Sequence, residues 1–275
     1  VPEVPALSGP RSLIDRVRAV FDPDGPLART FDRFEPRRGQ RDLAVAVAAT
    51  FDGGGTLVAE AGTGTGKTLA YLIPAALAGR RVLVSTGTRT LQDQVFYKDL
   101  PAVGRALGRD VRAAYMKGRA NYLCLHRMDR LRDAAAGLPA DDRAWLERIA
   151  EWAAVTATGD RAEIDDLPDD STLWTELTAT SEQCLGRDCP AYASCFVTRM
   201  RDEAAAADVV IVNHHLLCAD ASVRHGGFGE VIPDADLIVI DEAHQLEDVV
   251  TQYFGVSLTA ARLDEFARDV SRALG

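Results

Sequence analysis

The chain has 275 residues, 47% hydrophobic and 26% charged, with five cysteines and a formal net charge of -10. This is an ordinary globular composition, enough for one large core or one core with a smaller inserted unit. No run approaches the ~18 apolar residues of a membrane helix, and the Pro-containing, acid-bearing start is not a signal peptide, so a cytoplasmic protein without membrane contact is expected.

Residues 1 to 30 are punctuated by Pro and Gly, with one short helix expected from Ser12 to Phe21. A helix is expected from Gly39 to Phe51, with Arg37 and Gln40 leading into it. Next come a short apolar run, Thr56-Leu57-Val58, read as a strand, and a glycine-rich turn, Ala61-Gly62-Thr63-Gly64-Thr65-Gly66-Lys67-Thr68. The turn opens a helical pattern through Ile73, with Pro74 expected to bend it. A second strand is expected over Arg81 to Ser85, a helix from the turn Thr86-Gly87-Thr88 to about Leu100, and a third strand within Val111 to Tyr115.

Strand–helix alternation stops between about Lys117 and Arg201 and resumes with the apolar runs Asp208 to Val212 and Leu237 to Ile240. Several short apolar strands, each followed by a helix, predict an α/β fold with a parallel sheet covered on both faces. The broken middle reads as an insertion. Between Asp133 and Glu176 it holds twelve acidic residues against Arg143, Arg148 and Arg161. Arg119, Arg127, Arg130 and Arg132 stand on one side of this block, and Arg187, Arg199 and Arg201 on the other. Any contact with a polyanion is therefore local.

The glycine-rich turn between strand and helix is the context of a phosphate-binding loop. Its backbone N–H groups converge on an anion, Lys67 reaches the terminal phosphates, and the Thr68 hydroxyl serves Mg²⁺. The strict pattern places Gly where this chain has Ala61. Asp241-Glu242 stands at the carboxyl end of a strand, where open parallel sheets place ligands. There Asp241 can hold Mg²⁺ and Glu242 can orient or deprotonate the attacking water. Cys124, Cys184, Cys189 and Cys195 all lie in the insertion. Four thiolates suit either an iron–sulfur cluster or a structural zinc, and the spacings favour neither. Cys218 reads as a core residue, and His214, His215 and His244 as hydrogen-bonding groups at the sheet edge.

Together these residues resemble a known family. Ala61-x-x-Gly64-x-Gly66-Lys67-Thr68 with Asp241-Glu242-Ala243-His244 is similar to motifs I and II of superfamily 2 helicases, in which Ala at the first loop position is usual. Ser85-Thr86-x-Thr88-x-x-Leu91-Gln92 is similar to motif Ia, which contacts the nucleic-acid backbone. The four inserted cysteines and Asn213-His214-His215-Leu216-Leu217 resemble the DinG/XPD-like DNA helicases, over about residues 33 to 248. Arg37 and Gln40 are similar to an element near the adenine.

The resemblance implies a RecA-like motor domain of the P-loop NTPase class with an inserted, mainly helical iron–sulfur domain. It also implies ATP and Mg²⁺ as cofactors and a [4Fe-4S] cluster on Cys124, Cys184, Cys189 and Cys195. The expected layout is a lead-in over 1–35, the motor domain over 36–116 and 204–250, the cluster domain over 117–203, and the start of an arch domain over 251–275. The implied activity is ATP-dependent 5′-to-3′ DNA unwinding in repair, by a monomer acting on single-stranded and forked duplex DNA.

The expected path of the single strand passes the flanking arginines, with bases stacking on Tyr122 or Tyr192. Val1 at the start, and the uncapped amphipathic pattern from Arg262 to Leu274, suggest a fragment lacking the second motor domain and therefore weakly active or inactive alone. Two alternatives are a non-enzymatic, redox-sensing DNA-binding module and a zinc-stapled P-loop NTPase acting on RNA or protein.

Overall fold

The computed structural model describes residues 12–31, 34–62, 64–168, 171–227, 229–255 and 260–274. The Ser12 side chain accepts the Asp15 amide and caps α1 (Leu13–Val20), which buries Leu13, Val17 and Val20. α2 (Pro26–Thr30) and α3 (Arg38–Gly53) follow, and α3 buries Ala44, Val47, Ala48 and Phe51 on one face. α4 (Lys67–Leu77) starts at the phosphate-loop lysine, runs through Pro74 and is buried continuously from Ala70 to Leu77.

The sheet consists of β1 (Val82–Thr86), β2 (Ala113–Tyr115), β3 (Val209–Asn213) and β4 (Leu237–Ile240), all parallel in the order β2-β3-β1-β4. Between β1 and β2 lie α5 (Arg89–Gln94), a π-helical turn (Val95–Asp99) and α6 (Leu100–Leu107). Between β2 and β3 lie α7 (Leu125–Asp133), α8 (Ala140–Ala153), α9 (Thr172–Leu177) and α10 (Phe196–Ala206). α11 (His214–His225) separates β3 from β4, and α12 (Leu246–Phe254) and α13 (Ala260–Leu274) follow.

Two cores flank the sheet. Val82, Val84, Val209 and Ile211 pack on one face with residues of α1, α3, α4 and α6. Leu83, Val210 and Val212 pack on the other with Met116, Leu146, Trp174, Phe196 and Leu216. Alternate residues of β1 and β3 thus enter opposite cores, and both strands are apolar almost throughout because both faces are covered.

The segment between β2 and β3 is helical as expected, with one isolated antiparallel bridge, Tyr122 to Asp160, among its described residues. It is tied to the sheet by an ion pair between Lys117, 5% exposed, and Asp160, at 2.6 Å.

Two expectations are corrected. Thr56-Leu57-Val58 forms no strand, and Val58 is 92% exposed. The run is only three residues long and follows Gly54 and Gly55, whose φ angles of 75° and 95° turn the chain out of α3. β4 is therefore an edge strand, and its Ile238 and Ile240 are 56% and 40% exposed. The helix expected to end near Leu100 continues to Leu107: the π-helical turn Val95–Asp99 joins α5 directly to α6, and Pro101 falls just after that turn.

Candidate functional site

The glycine-rich loop curls through left-handed glycines, Gly64 at φ 75° and Gly66 at φ 81°, and Gly66 caps α4. A Cβ at Gly66 would collide with the Gln40 amide, which donates to the Gly66 carbonyl at 3.0 Å. Arg37 donates to the Gly64 carbonyl, and Thr65 Oγ1 to the Gly62 carbonyl at 2.8 Å. Arg37 and Gln40 thus brace the loop in this structure. Ala61 and Gly62 lie at its entrance, and Thr63 is outside the described residues.

Across from the loop, the turn after β4 carries Asp241 and Glu242. Glu242 has φ 53°, ψ 44°, the one left-handed non-glycine among the described residues. Such a conformation is uncommon for Glu and concentrates at functional sites. Glu242 Oε1 pairs with Lys67 Nζ at 2.9 Å, so motif I and motif II meet directly. His244 Nδ1 stands 3.5 Å from the other Glu242 oxygen. Asp241 Oδ1 accepts the Glu242 amide at 3.0 Å, and Oδ2 accepts the Tyr71 hydroxyl at 3.0 Å.

Tyr71 is buried beneath the site. Burial first, and then the Asp241 carboxylate, push its pKa well above the ordinary tyrosine value, while a hydrogen bond with the Thr68 side chain acts in the opposite sense. It therefore remains a donor to Asp241 and lies beside Thr68, the other side chain expected to serve Mg²⁺. Sequence reasoning missed Tyr71. The available signal was its position one helical turn beyond Thr68, on the same face of α4.

The residues resembling motif Ia divide by direction. Ser85, Thr86 and Gln92 are buried, and Gln92 Nε2 donates to the carbonyls of Met116 at 2.9 Å and Ile211 at 3.3 Å. Thr88, Arg89 and Thr90 are exposed, with the Thr88 side chain capping α5 through the Leu91 amide. Ser85 Oγ lies 2.7 Å from His214 Nδ1 in the core, so His214 is interior rather than at an edge.

The four inserted cysteines are partly buried free thiols. Burial raises the pKa of Cys124, the Arg127 backbone N–H opposes this, and Cys189, Cys195 and Cys184 add to the rise. The Gly186 amide donates to Cys184 Sγ at 3.4 Å. Among the described residues, no three His, Cys, Asp or Glu side chains are arranged to hold a metal ion. Cys218 is buried, as expected.

Of the arginines beside the acidic block, Arg127 binds Glu176, Arg132 pairs with Glu147, and Arg199 donates to the Ala157 carbonyl. Burial, then Arg119, lowers the pKa of the partly buried Arg201. Arg130 and Arg187 are exposed. Tyr122 is buried, its hydroxyl accepting the Lys117 amide at 3.1 Å, which corrects its expected role as a stacking platform. Tyr192 remains exposed. No helix among the described residues is long and apolar enough to cross a membrane.

Residues 41–130 match the DEAD/DEAH box helicase family and residues 158–263 match DEAD_2. The ATP-dependent DNA helicase YoaA of Escherichia coli is 47% identical over 253 residues, covering 92% of this chain and 40% of the relative. YoaA of Haemophilus influenzae is 45% identical over 259 residues, covering 94% of this chain and 40% of the relative. The ATP-dependent helicase DinG of Mycobacterium tuberculosis is 38% identical over 262 residues, covering 86% of this chain and 38% of the relative. The chain thus spans about two fifths of the length of these curated relatives.

Proposed function

Because the chain belongs to the DinG-like superfamily 2 helicases, we propose that it carries the ATP-binding motor part of a 5′-to-3′ DNA helicase acting in repair. The observation that supports this most directly is the contact of Lys67 with Glu242, beside an Asp241 held by Tyr71. A nucleotide's terminal phosphate would compete with Glu242 for Lys67, freeing the carboxylate to orient or deprotonate a water. The amides of residues 61–68 would hold the phosphates, and Arg37 and Gln40, already against the loop, would line the base side.

Thr68 and Asp241 would hold Mg²⁺, which neutralises phosphate charge when bound. Outward Thr88, Arg89 and Thr90, with exposed Arg130, Arg187 and Tyr192, offer phosphate contact and base stacking to a single strand. The domain layout, monomeric state and cytoplasmic location stated above are part of this reading.

We further propose that Cys124, Cys184, Cys189 and Cys195 hold a [4Fe-4S] cluster as a fold staple. The donor chemistry fits: four partly buried thiols share one electrostatic neighbourhood, and the Gly186 amide donates to one of the sulfurs. The sulfurs must draw closer to serve one cluster. Anaerobically purified protein should contain about four irons per chain; zinc in their place overturns the cluster. Replacement of Cys189 by Ser should unfold the insertion and spare nucleotide binding.

The activity is tested in the full-length protein by ATP hydrolysis with and without single-stranded DNA, and by unwinding of forked duplexes with either overhang. Glu242→Gln should reduce hydrolysis by roughly 10²–10⁴-fold with ATP still bound. Wild-type turnover in that variant, or stimulation by RNA alone, sinks the reading.

A further inference from the structure

The run Asn213-His214-His215 is not used by the nucleotide chemistry, yet its first histidine lies where motif Ia and motif II touch. β1 lies between β3, whose last residue Asn213 precedes His214, and β4, whose end precedes Asp241. At these strand ends one contact ties β1 to the Asp241–Glu242 turn, one joins the segments just beyond them, and one ties β1 to His214. The Asp241 amide donates to the Ser85 carbonyl at 2.8 Å. Gly87 packs so closely on the Gln245 side chain that a Cβ there would collide with it. Ser85 Oγ meets His214 Nδ1 at 2.7 Å, with both side chains fully buried.

The other ring nitrogen, Nε2, is buried and makes no hydrogen bond. A buried polar atom without a partner is rare and calls for an explanation. Burial lowers the His214 pKa, and the nearby backbone of Glu242 and Asp241 acts in the opposite sense. A neutral imidazole has one donor and one acceptor nitrogen. We assign Ser85 as the donor to Nδ1, the tautomer that puts the proton on Nε2 and leaves it in need of an acceptor. The nearby backbone is that of the turn in which Glu242 holds its uncommon left-handed conformation, clamped to Lys67. A small rotation of that turn would present a carbonyl to Nε2–H and re-aim the Glu242 side chain.

We propose that His214 is a positioning residue: it links Ser85, at the end of β1, to the backbone of the Asp241–Glu242 turn, so that engagement of DNA by the motif Ia segment sets the aim of Glu242. This rests on the helicase reading above. It adds a route between the two sites, made of one serine hydroxyl, one buried imidazole and one turn. His214 itself does not touch nucleotide or DNA.

The test uses the full-length protein, single-stranded DNA and ATP. In His214→Phe, kcat at saturating DNA should fall about tenfold, equivalent to about 1.4 kcal/mol, while KM for ATP moves less than about threefold. Ser85→Ala, which leaves the imidazole in place, should show the same split to a smaller degree, and the double variant should be no worse than His214→Phe, as expected for residues acting through one contact. His214→Gln, whose amide can accept from Ser85 and donate to a carbonyl, should recover much of the loss. DNA stimulation unchanged in both His214→Phe and Ser85→Ala overturns the proposal. So does a parallel loss of nucleotide affinity and melting temperature without rescue by Gln, the mark of a merely structural histidine. If the wild-type protein shows no DNA-stimulated hydrolysis, the helicase reading fails first, and the route falls with it.

Discussion

Tyr71 shows how much of the site depends on one hydroxyl. It donates to Asp241 Oδ2 and lies close to Thr68, while its ring belongs to the core beneath α4. Tyr71→Phe keeps the ring and removes the only part that meets the carboxylate. Loss of a hydrogen bond to a charged group costs about 1.5–3 kcal/mol; melting should show this, and KM for Mg-ATP should rise as Asp241 loses its aim. An unchanged KM would show that Asp241 is held by its own turn. His214 makes a pH prediction. Its folded pKa is lowered, chiefly by burial, so the unfolded chain binds the proton first as pH falls below about 6.5. Its contribution to stability is present above that pH and is lost below it, with a slope of at most about 1.4 kcal/mol per pH unit. Denaturant unfolding at pH 7.5 and 5.5 checks this: the difference should shrink in His214→Gln. At this scale the meeting of Lys67 with the Asp241–Glu242 turn was legible, because both lie at turns marked by local order in the sequence. Tyr71 and Ser85–His214 were not, since their partners come from distant strands that only the folded sheet brings together.

Among the elements, β1, β3 and β4 were readable to within a residue because each is a short, continuous run of apolar side chains bounded by polar ones. β2 shrank to three residues, since only Ala113 to Tyr115 finds β3 as a partner. The helical segment between β2 and β3 showed in the sequence as a loss of alternation, but its fastening to the sheet did not. That fastening joins Lys117, just past β2, to Asp160, with Tyr115 contributing its ring face to Lys117 at 4.7 Å and its hydroxyl to Asp93. A lysine and an aspartate far apart in sequence carry no pairing signal of their own. Removing Asp160 leaves the buried Lys117 only its longer contact with Asp93 at 3.9 Å, a loss smaller than the ~3–5 kcal/mol of a fully stranded buried charge. Asp160→Ala should therefore lower the melting temperature and open residues 117–203 to limited proteolysis before the sheet. Simultaneous cleavage throughout the chain would mean that the pair is not the attachment point.

For the whole molecule, composition bounded the size of the core and excluded little else. Motif order carried the family, and the family matches to residues 41–130 and 158–263 agree with it. Acidic residues crowd the insertion, yet several of the arginines beside them are spent on internal carbonyls and carboxylates, which charge counting cannot reveal. The uncovered edge of β4 has one more consequence. Its backbone groups face outward beside Ile238 and Ile240, and Lys67, at the start of α4, meets Glu242 just past the end of that strand. An open edge is a template for one further parallel strand, and this chain carries an apolar run of its own to fill it. Ligand that orders the phosphate loop would favour such closure, so binding and sheet completion would be linked. Amide hydrogens of Leu57, Val58 and residues 237–240 should then exchange more slowly when Mg-ATP is added. Equal exchange rates with and without nucleotide would leave the sheet at four strands throughout the cycle.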